Sequence, residues 1–166
     1  MGTCNSSTAI RYTEGDATEP IGGGLKIVVH ICNDIGKWGK GFVLAVSRRW
    51  KEPEHIYREA FRHPPFPMLG DVQFVSVSDT IIVANLIGQH GTMARAGIRP
   101  PIRYEAIHKG LRTIASRAQS SGASVHMPRI GCGLAGGEWT KVEPIIVESL
   151  ADKGIDVTVY DYNRPA

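Results

Sequence analysis

The sequence predicts an α/β fold around a mixed sheet, and three observations carry that reading. The stretch 25–31 (LKIVVHI) is mostly apolar and rich in β-branched residues, as a strand buried on both faces must be. Strand-like runs alternate along the chain with segments whose apolar residues recur at helical spacing. The runs 72–77 and 80–87 flank Ser78-Asp79 closely enough to form a hairpin, which adds an antiparallel pair to the parallel strands.

Taken in order, residues 10–13 read as a short strand ending at Gly15-Asp16, and Gly22-Gly23-Gly24 as a turn before the strand 25–31. A glycine-rich loop, 36–41, follows. Phe42, Val46 and Trp50 then fall at i, i+4 and i+8, one face of a helix. Pro53 suits the first turn of a second helix carrying Ile56, Tyr57, Ala60 and Phe61. The prolines of 63–67 impose a loop, because proline blocks both helix and ladder. After the hairpin, 89–101 holds glycine and proline and reads as a mobile loop. Ile102, Ala106, Leu111, Ile114 and Ala118 mark a long amphipathic helix, stopped by Ser120-Ser121-Gly122. A strand over 124–130 leads into a second glycine loop, 131–137. Trp139, Val142, Ile145, Ile146 and Leu150 mark the next helix, and 155–160 the last strand.

The 166 residues suit a single domain, 1–166, with enough chain to bury a core. With 42% hydrophobic and 21% charged residues, the composition is that of a soluble globular protein. The formal charge of +3 suits an anionic ligand, and no Lys/Arg block marks a nucleic-acid tail. Cys4, Cys32 and Cys132 form no disulfide framework, and no signal peptide or long apolar run is visible, so a reduced cytoplasmic setting is the expectation. Residues 1–6 (MGTCNS) match a myristoylation pattern, which is short enough to arise by chance.

The second glycine loop, GCGLAGG, admits three readings. It fits the dinucleotide fingerprint G-x-G-x-x-G, and Asp156 follows Gly136 by 20 residues. Yet that fingerprint opens a first βαβ unit, and Asp156 stands at the start of its strand, where no ribose would lie. Cys132 as a phosphatase nucleophile fails too, because the position of the expected Arg is Glu138. As a hydrolase elbow it would need a His base, and the spacing of His30, His90 and His126 assigns none to it. The third reading takes both glycine loops together. Each joins a strand to a helix, so their backbone N–H groups and two helix N-termini would clamp a diphosphate from two sides, with a bulky side chain at Gly131 filling the nest.

Four segments in order resemble the macrodomain family over roughly 12–160: Gly15-Asp16-Ala17-Thr18; VHICN with GKWGKGF; PRIGCGL; and a final strand ending Val159-Tyr160. The wording PRIGCGL with a downstream Trp looks most like the branch holding the terminal ADP-ribose protein glycohydrolase and its bacterial relatives. The resemblance implies a three-layer α/β/α fold that takes ADP-ribose as ligand or product, with no cofactor and no metal. Asp16, beside Ala17, would accept the adenine amino group, or else cap a turn. Lys37, Trp38, Gly39 and Gly41 in one loop, and Gly131, Cys132, Gly133, Leu134 and Ala135 in the other, would cradle the diphosphate and distal ribose. Asn33 would bind the distal ribose or a water, and Tyr160 or Tyr162 would stack on adenine.

The branch glycohydrolase uses a Lys nucleophile and an Asp, and the matching positions here are Gln89 and Ala135. A covalent lysyl route is therefore unsupported. Three activities remain open: hydrolysis of ADP-ribose from acidic residues by a substrate-assisted water, with Asn33, Asp34 and His90 as candidate catalytic groups; an ADP-ribose-1″-phosphate phosphatase; and a non-catalytic ADP-ribose reader. The partners implied are ADP-ribosylated proteins and ADP-ribose, for a monomer with no membrane or specific nucleic-acid contact.

Overall fold

The computed structural model describes residues 9–92 and 99–162, so the 1–6 pattern, Cys4 and the centre of the 89–101 loop lie outside the described residues. The elements are β1 (Arg11–Glu14), β2 (Lys26–Asn33), α1 (Phe42–Arg49), α2 (Glu52–Ala60), β3 (Val72–Ser76), β4 (Ile81–Gln89), α3 (Tyr104–Ser121), β5 (Ser124–Met127), α4 (Trp139–Ser149), a 3₁₀ turn (Ala151–Lys153) and β6 (Val157–Asp161). Every expected strand and helix is present. The 3₁₀ turn was not expected, and β5 stops at Met127 rather than running to 130.

The six strands lie in the order β1-β6-β5-β2-β4-β3. All neighbours are parallel except β3 and β4, whose antiparallel pairing confirms the mixed sheet. β2 is the hinge of the packing. Its Ile27 and Val29 join Leu86, Met127 and the buried faces of α3 and α4 in one core. Its Cys32 joins Val43, Val46 and Tyr57 of α1 and α2 in a second core on the opposite face. The fold is thus the expected three layers, α/β/α.

The position of the site follows from the topology. After β2 the chain moves outward to β3 and returns by β4; after β5 it moves the other way, to β6, which pairs with β1. β2 and β5 are neighbours, so the switch point, where folds of this kind form their ligand crevice, lies between their carboxyl ends. The two glycine loops are the segments that leave these two strands.

Two histidines are built into the sheet. His30 Nε2 lies 2.6 Å from Asn85 Oδ1, and burial pulls its pKa down to about 4 against that hydrogen bond. His126 is likewise held neutral, at about 4, by burial and by the charge of Lys26. The Tyr160 hydroxyl accepts the Ile21 N–H at 2.9 Å and shares a hydrogen bond with His126 Nδ1 at 2.8 Å, and His126 Nε2 shares another with Ser124 Oγ at 2.8 Å.

Candidate functional site

The first loop is folded by one carboxamide. Asn33 ends β2, and its Oδ1 accepts from Ile35 N and Lys37 N, both at 3.1 Å. Its Nδ2 donates to the Lys37 carbonyl at 2.5 Å. The Tyr57 hydroxyl of α2 donates to the same residue, 2.7 Å from Oδ1 and 2.8 Å from the backbone oxygen. Asn33 was expected to hold ribose or water; its amide shapes the loop, because 34–37 offers backbone groups that no strand can satisfy, and one Nδ2 hydrogen is left over.

Trp38, in the loop expected to cradle the diphosphate, turns its ring inward. Its indole is 4% exposed, donates to Ser47 Oγ at 2.8 Å, and packs edge-on against His30 at 5.4 Å. The ring fills the space between α1, α2 and the sheet, packed with Val43, Val46 and Tyr57. Lys37 and Gly39 are exposed. Gly41, at φ 83°, turns the chain into α1, whose first turn has no acidic residue and no side-chain cap. That helix start carries open N–H groups and the positive end of the dipole.

The second loop closes on itself. Gly137 N donates to the Gly131 carbonyl at 2.8 Å, Gly136 N to Gly133 at 3.1 Å, and Ile102 N to Ala135 at 3.0 Å. Gly131 has φ 73°, and a Cβ there would stand 2.2 Å from Ile102 Cδ1. Arg129 anchors the loop from outside: Nε and Nη2 donate to Asp161 at 2.6 and 3.0 Å, and the guanidinium lies over the Tyr12 and Trp139 rings at 5.2 and 5.1 Å. Sequence reasoning assigned Arg129 no role; its place within PRIGCGL was the available signal.

The two loops meet. The Leu134 side chain, 62% exposed, reaches the position a Cβ on Gly41 would occupy, 3.5 Å from Leu134 Cδ1. The N–H groups of Gly39, Lys40 and Gly41 in one loop, and of Gly133, Leu134 and Ala135 in the other, have no protein partner among the described residues. Ala135 is buried and its methyl belongs to the core under α3 and α4. Cys132 donates to the Ile130 carbonyl at 3.4 Å, burial pushes its thiol up, and no His is bonded to it among the described residues, which disfavours a nucleophilic role.

On the β6/β1 side of the crevice, Asp16 Oδ1 accepts from Thr18 N at 2.8 Å and Thr18 Oγ at 2.7 Å, the turn-capping role. Its other oxygen has no partner among the described residues, and Asp16 lines a cavity of about 360 Å³ with Thr18, Ala45, Arg48 and Arg49. Ala17 is buried beneath. Tyr160 is 3% exposed with its hydroxyl committed to Ile21 and His126, so its face is not offered to a ligand; Tyr162 is 64% exposed.

On the β4 side, Gln89 pairs across the sheet with Asn33, and its Nε2 donates to the Gly91 carbonyl at 2.8 Å. Asp34 and His90, 56 residues apart in sequence, are brought together: His90 Nδ1 donates to Asp34 Oδ2 at 2.7 Å, and Gly91 N to Oδ1 at 2.9 Å. Among the described residues no three His, Cys, Asp or Glu side chains are grouped to hold a metal ion, and no helix is long and apolar enough to cross a membrane.

Comparison with known proteins places this architecture. No family model matches the chain. The solved structure of a macrodomain protein from Streptomyces coelicolor is 52% identical, covers 93% of this chain and 100% of its own, and superposes with a TM-score of 0.81. Chromodomain-helicase-DNA-binding protein 1-like of Mus musculus is 34% identical over 95% of this chain, which spans only 18% of that relative's length. The ADP-ribose glycohydrolase OARD1 of Bos taurus is 39% identical over 42% of this chain and 45% of its own. With the layered fold, the sheet order and an almost end-to-end match to a solved macrodomain at this identity, the chain belongs to the macrodomain family.

Proposed function

We propose that the crevice binds ADP-ribose and that the protein hydrolyses ADP-ribose from mono-ADP-ribosylated proteins at acidic side chains. The observation that carries this reading is the pair of loops meeting at the β2/β5 switch with open amides on both sides. Six N–H donors and a helix start form an anion cradle sized for two linked phosphates. The sheet order then orients the ligand. Adenine lies toward β6 and β1, where the free oxygen of Asp16 accepts its amino group and Tyr162 offers an open ring. The distal ribose lies toward β4, and the similarity to a glycohydrolase supports chemistry at that end.

Gln89 is an amide and forms no Schiff base, and Ala135 supplies no carboxylate, so water is the nucleophile. Its oxygen bonds to the anomeric carbon while the bond from that carbon to the side-chain carboxylate breaks. The electron pair leaves on the carboxylate, which needs little acid assistance, and the water's proton passes to a base. The test is incubation with a target ADP-ribosylated on glutamate, beside ADP-ribose-1″-phosphate. Release of free ADP-ribose from the first and no phosphate from the second is the expected result. Phosphate release from the second alone would make the protein a phosphatase, and tight ADP-ribose binding without turnover would make it a reader.

A further inference from the structure

We infer that His90, held by Asp34, is the general base of this hydrolysis, with Nε2 as the accepting atom; the inference rests on the hydrolase reading above. The pair is set by the sheet. Asp34 directly follows Asn33, the last residue of β2, and His90 directly follows Gln89, the last residue of β4, and those two last residues face each other in the ladder. Asp34 N donates to the Gln89 carbonyl at 3.1 Å, which extends that contact one residue beyond the strands.

The carboxylate of Asp34 is fully used. One oxygen takes the imidazole Nδ1–H at 2.7 Å, the other the Gly91 N–H at 2.9 Å. The backbone of His90 is fixed as well, donating to the Pro101 carbonyl at 2.8 Å. A carboxylate only accepts, so Nδ1 carries the proton and Nε2 keeps its lone pair. Nε2 has no partner among the described residues. The His90 side chain is 63% exposed, whereas that of Asp34 is 16% exposed. An imidazole oriented by a sheltered carboxylate, with one nitrogen open, is the base-and-orienter arrangement of hydrolytic sites.

Its place along the proposed ligand is the second argument. With adenine at β6/β1 and the diphosphate over β5 and β2, the next strand is β4. Neighbouring parallel strands lie about 4.8 Å apart, so one further step along the sheet reaches the distal ribose and its anomeric carbon. Asp34 also opens the first glycine loop, which ties the base to the cradle. Asn33, by contrast, has no lone pair or donor to spare for a water beyond one amide hydrogen, and it acts as a positioning residue. In the step itself, Nε2 takes a proton from the attacking water as its oxygen bonds to the anomeric carbon, and the imidazolium later returns that proton to solvent.

The experiment uses the whole chain and glutamate-linked ADP-ribosylated protein. His90→Asn should lower kcat by at least about 100-fold and leave the Kd for free ADP-ribose within roughly 2-fold. Asp34, directly after β2, holds the imidazole, and Arg103, directly before α3, donates from Nη1 at 3.1 Å to the Pro101 carbonyl that also accepts the His90 N–H. Asp34→Asn should likewise lower kcat and leave the Kd for free ADP-ribose within roughly 2-fold; a residue that only braced the loop would change Kd and leave kcat intact. Full kcat in His90→Asn would overturn the inference and leave the hydrolase standing. No turnover by the wild type, with tight ADP-ribose binding, would overturn the hydrolase reading and the inference with it.

Discussion

Gly133→Glu should weaken ADP-ribose binding by at least about 100-fold, close to 2.7 kcal/mol, and leave the fold unchanged. Gly133 is exposed, a Cβ on it meets nothing within 4 Å, and its backbone is not in the left-handed region. The new side chain therefore has room, and Tm should stay within roughly 2 °C. What changes is charge: a carboxylate would stand among the amides of Gly133, Leu134 and Ala135, where the diphosphate is proposed to sit. Calorimetric titration with ADP-ribose, beside thermal unfolding, reads both quantities. Wild-type affinity in this variant would remove the second loop from the cradle. Gly131, which the sequence suggested for the same test, is the poorer choice. A side chain there strikes Ile102 at 2.2 Å and must also adopt φ 73°, so lost binding would follow from distortion alone.

Asn33→Ala should cost about 3 kcal/mol of folding stability and lower ADP-ribose affinity at least tenfold. The substitution strips partners from Ile35 N, Lys37 N and the Lys37 carbonyl and leaves the Tyr57 hydroxyl with the Asn33 backbone oxygen only. Each bond contributes about 1 kcal/mol net, and a buried group left unsatisfied costs more. For a domain of this size that loss lowers Tm by roughly 10 °C. Affinity falls because the loop carrying Gly39 to Gly41 is no longer held open. Asn33→Asp should recover part of the stability, since a carboxylate still accepts from both N–H groups but no longer donates to the Lys37 carbonyl. A wild-type Tm in Asn33→Ala would show that the loop is held by something other than this amide.

The strands, helices and both glycine loops were legible in the sequence because periodicity and glycine spacing are local properties. The hairpin at Ser78-Asp79 was legible for the same reason, and it set the mixed sheet. Side-chain direction was not. Trp38 and Tyr160 stand in the expected segments, but the space under α1 takes the indole, and the Ile21 N–H and His126 hold the phenol. Asn33 reads from sequence as a polar group at a strand end; its commitment to the loop depends on Tyr57, 24 residues away on another element. Asp34 and His90 were separate candidates in the sequence, and only the register of β2 against β4 makes them a pair. The departures at Gln89 and Ala135 were fully legible, and the structure adds a reason for the second. The Ala135 methyl is packed into the core, so a carboxylate there would need a different loop.

The most direct test of the cradle is the amide spectrum of ¹⁵N-labelled protein titrated with ADP-ribose. The N–H signals of Gly39, Lys40, Gly41, Gly133, Leu134 and Ala135 should show the largest shifts, from both loops at once and with one common affinity. Saturation by ADP-ribose with these six signals unmoved would contradict the account.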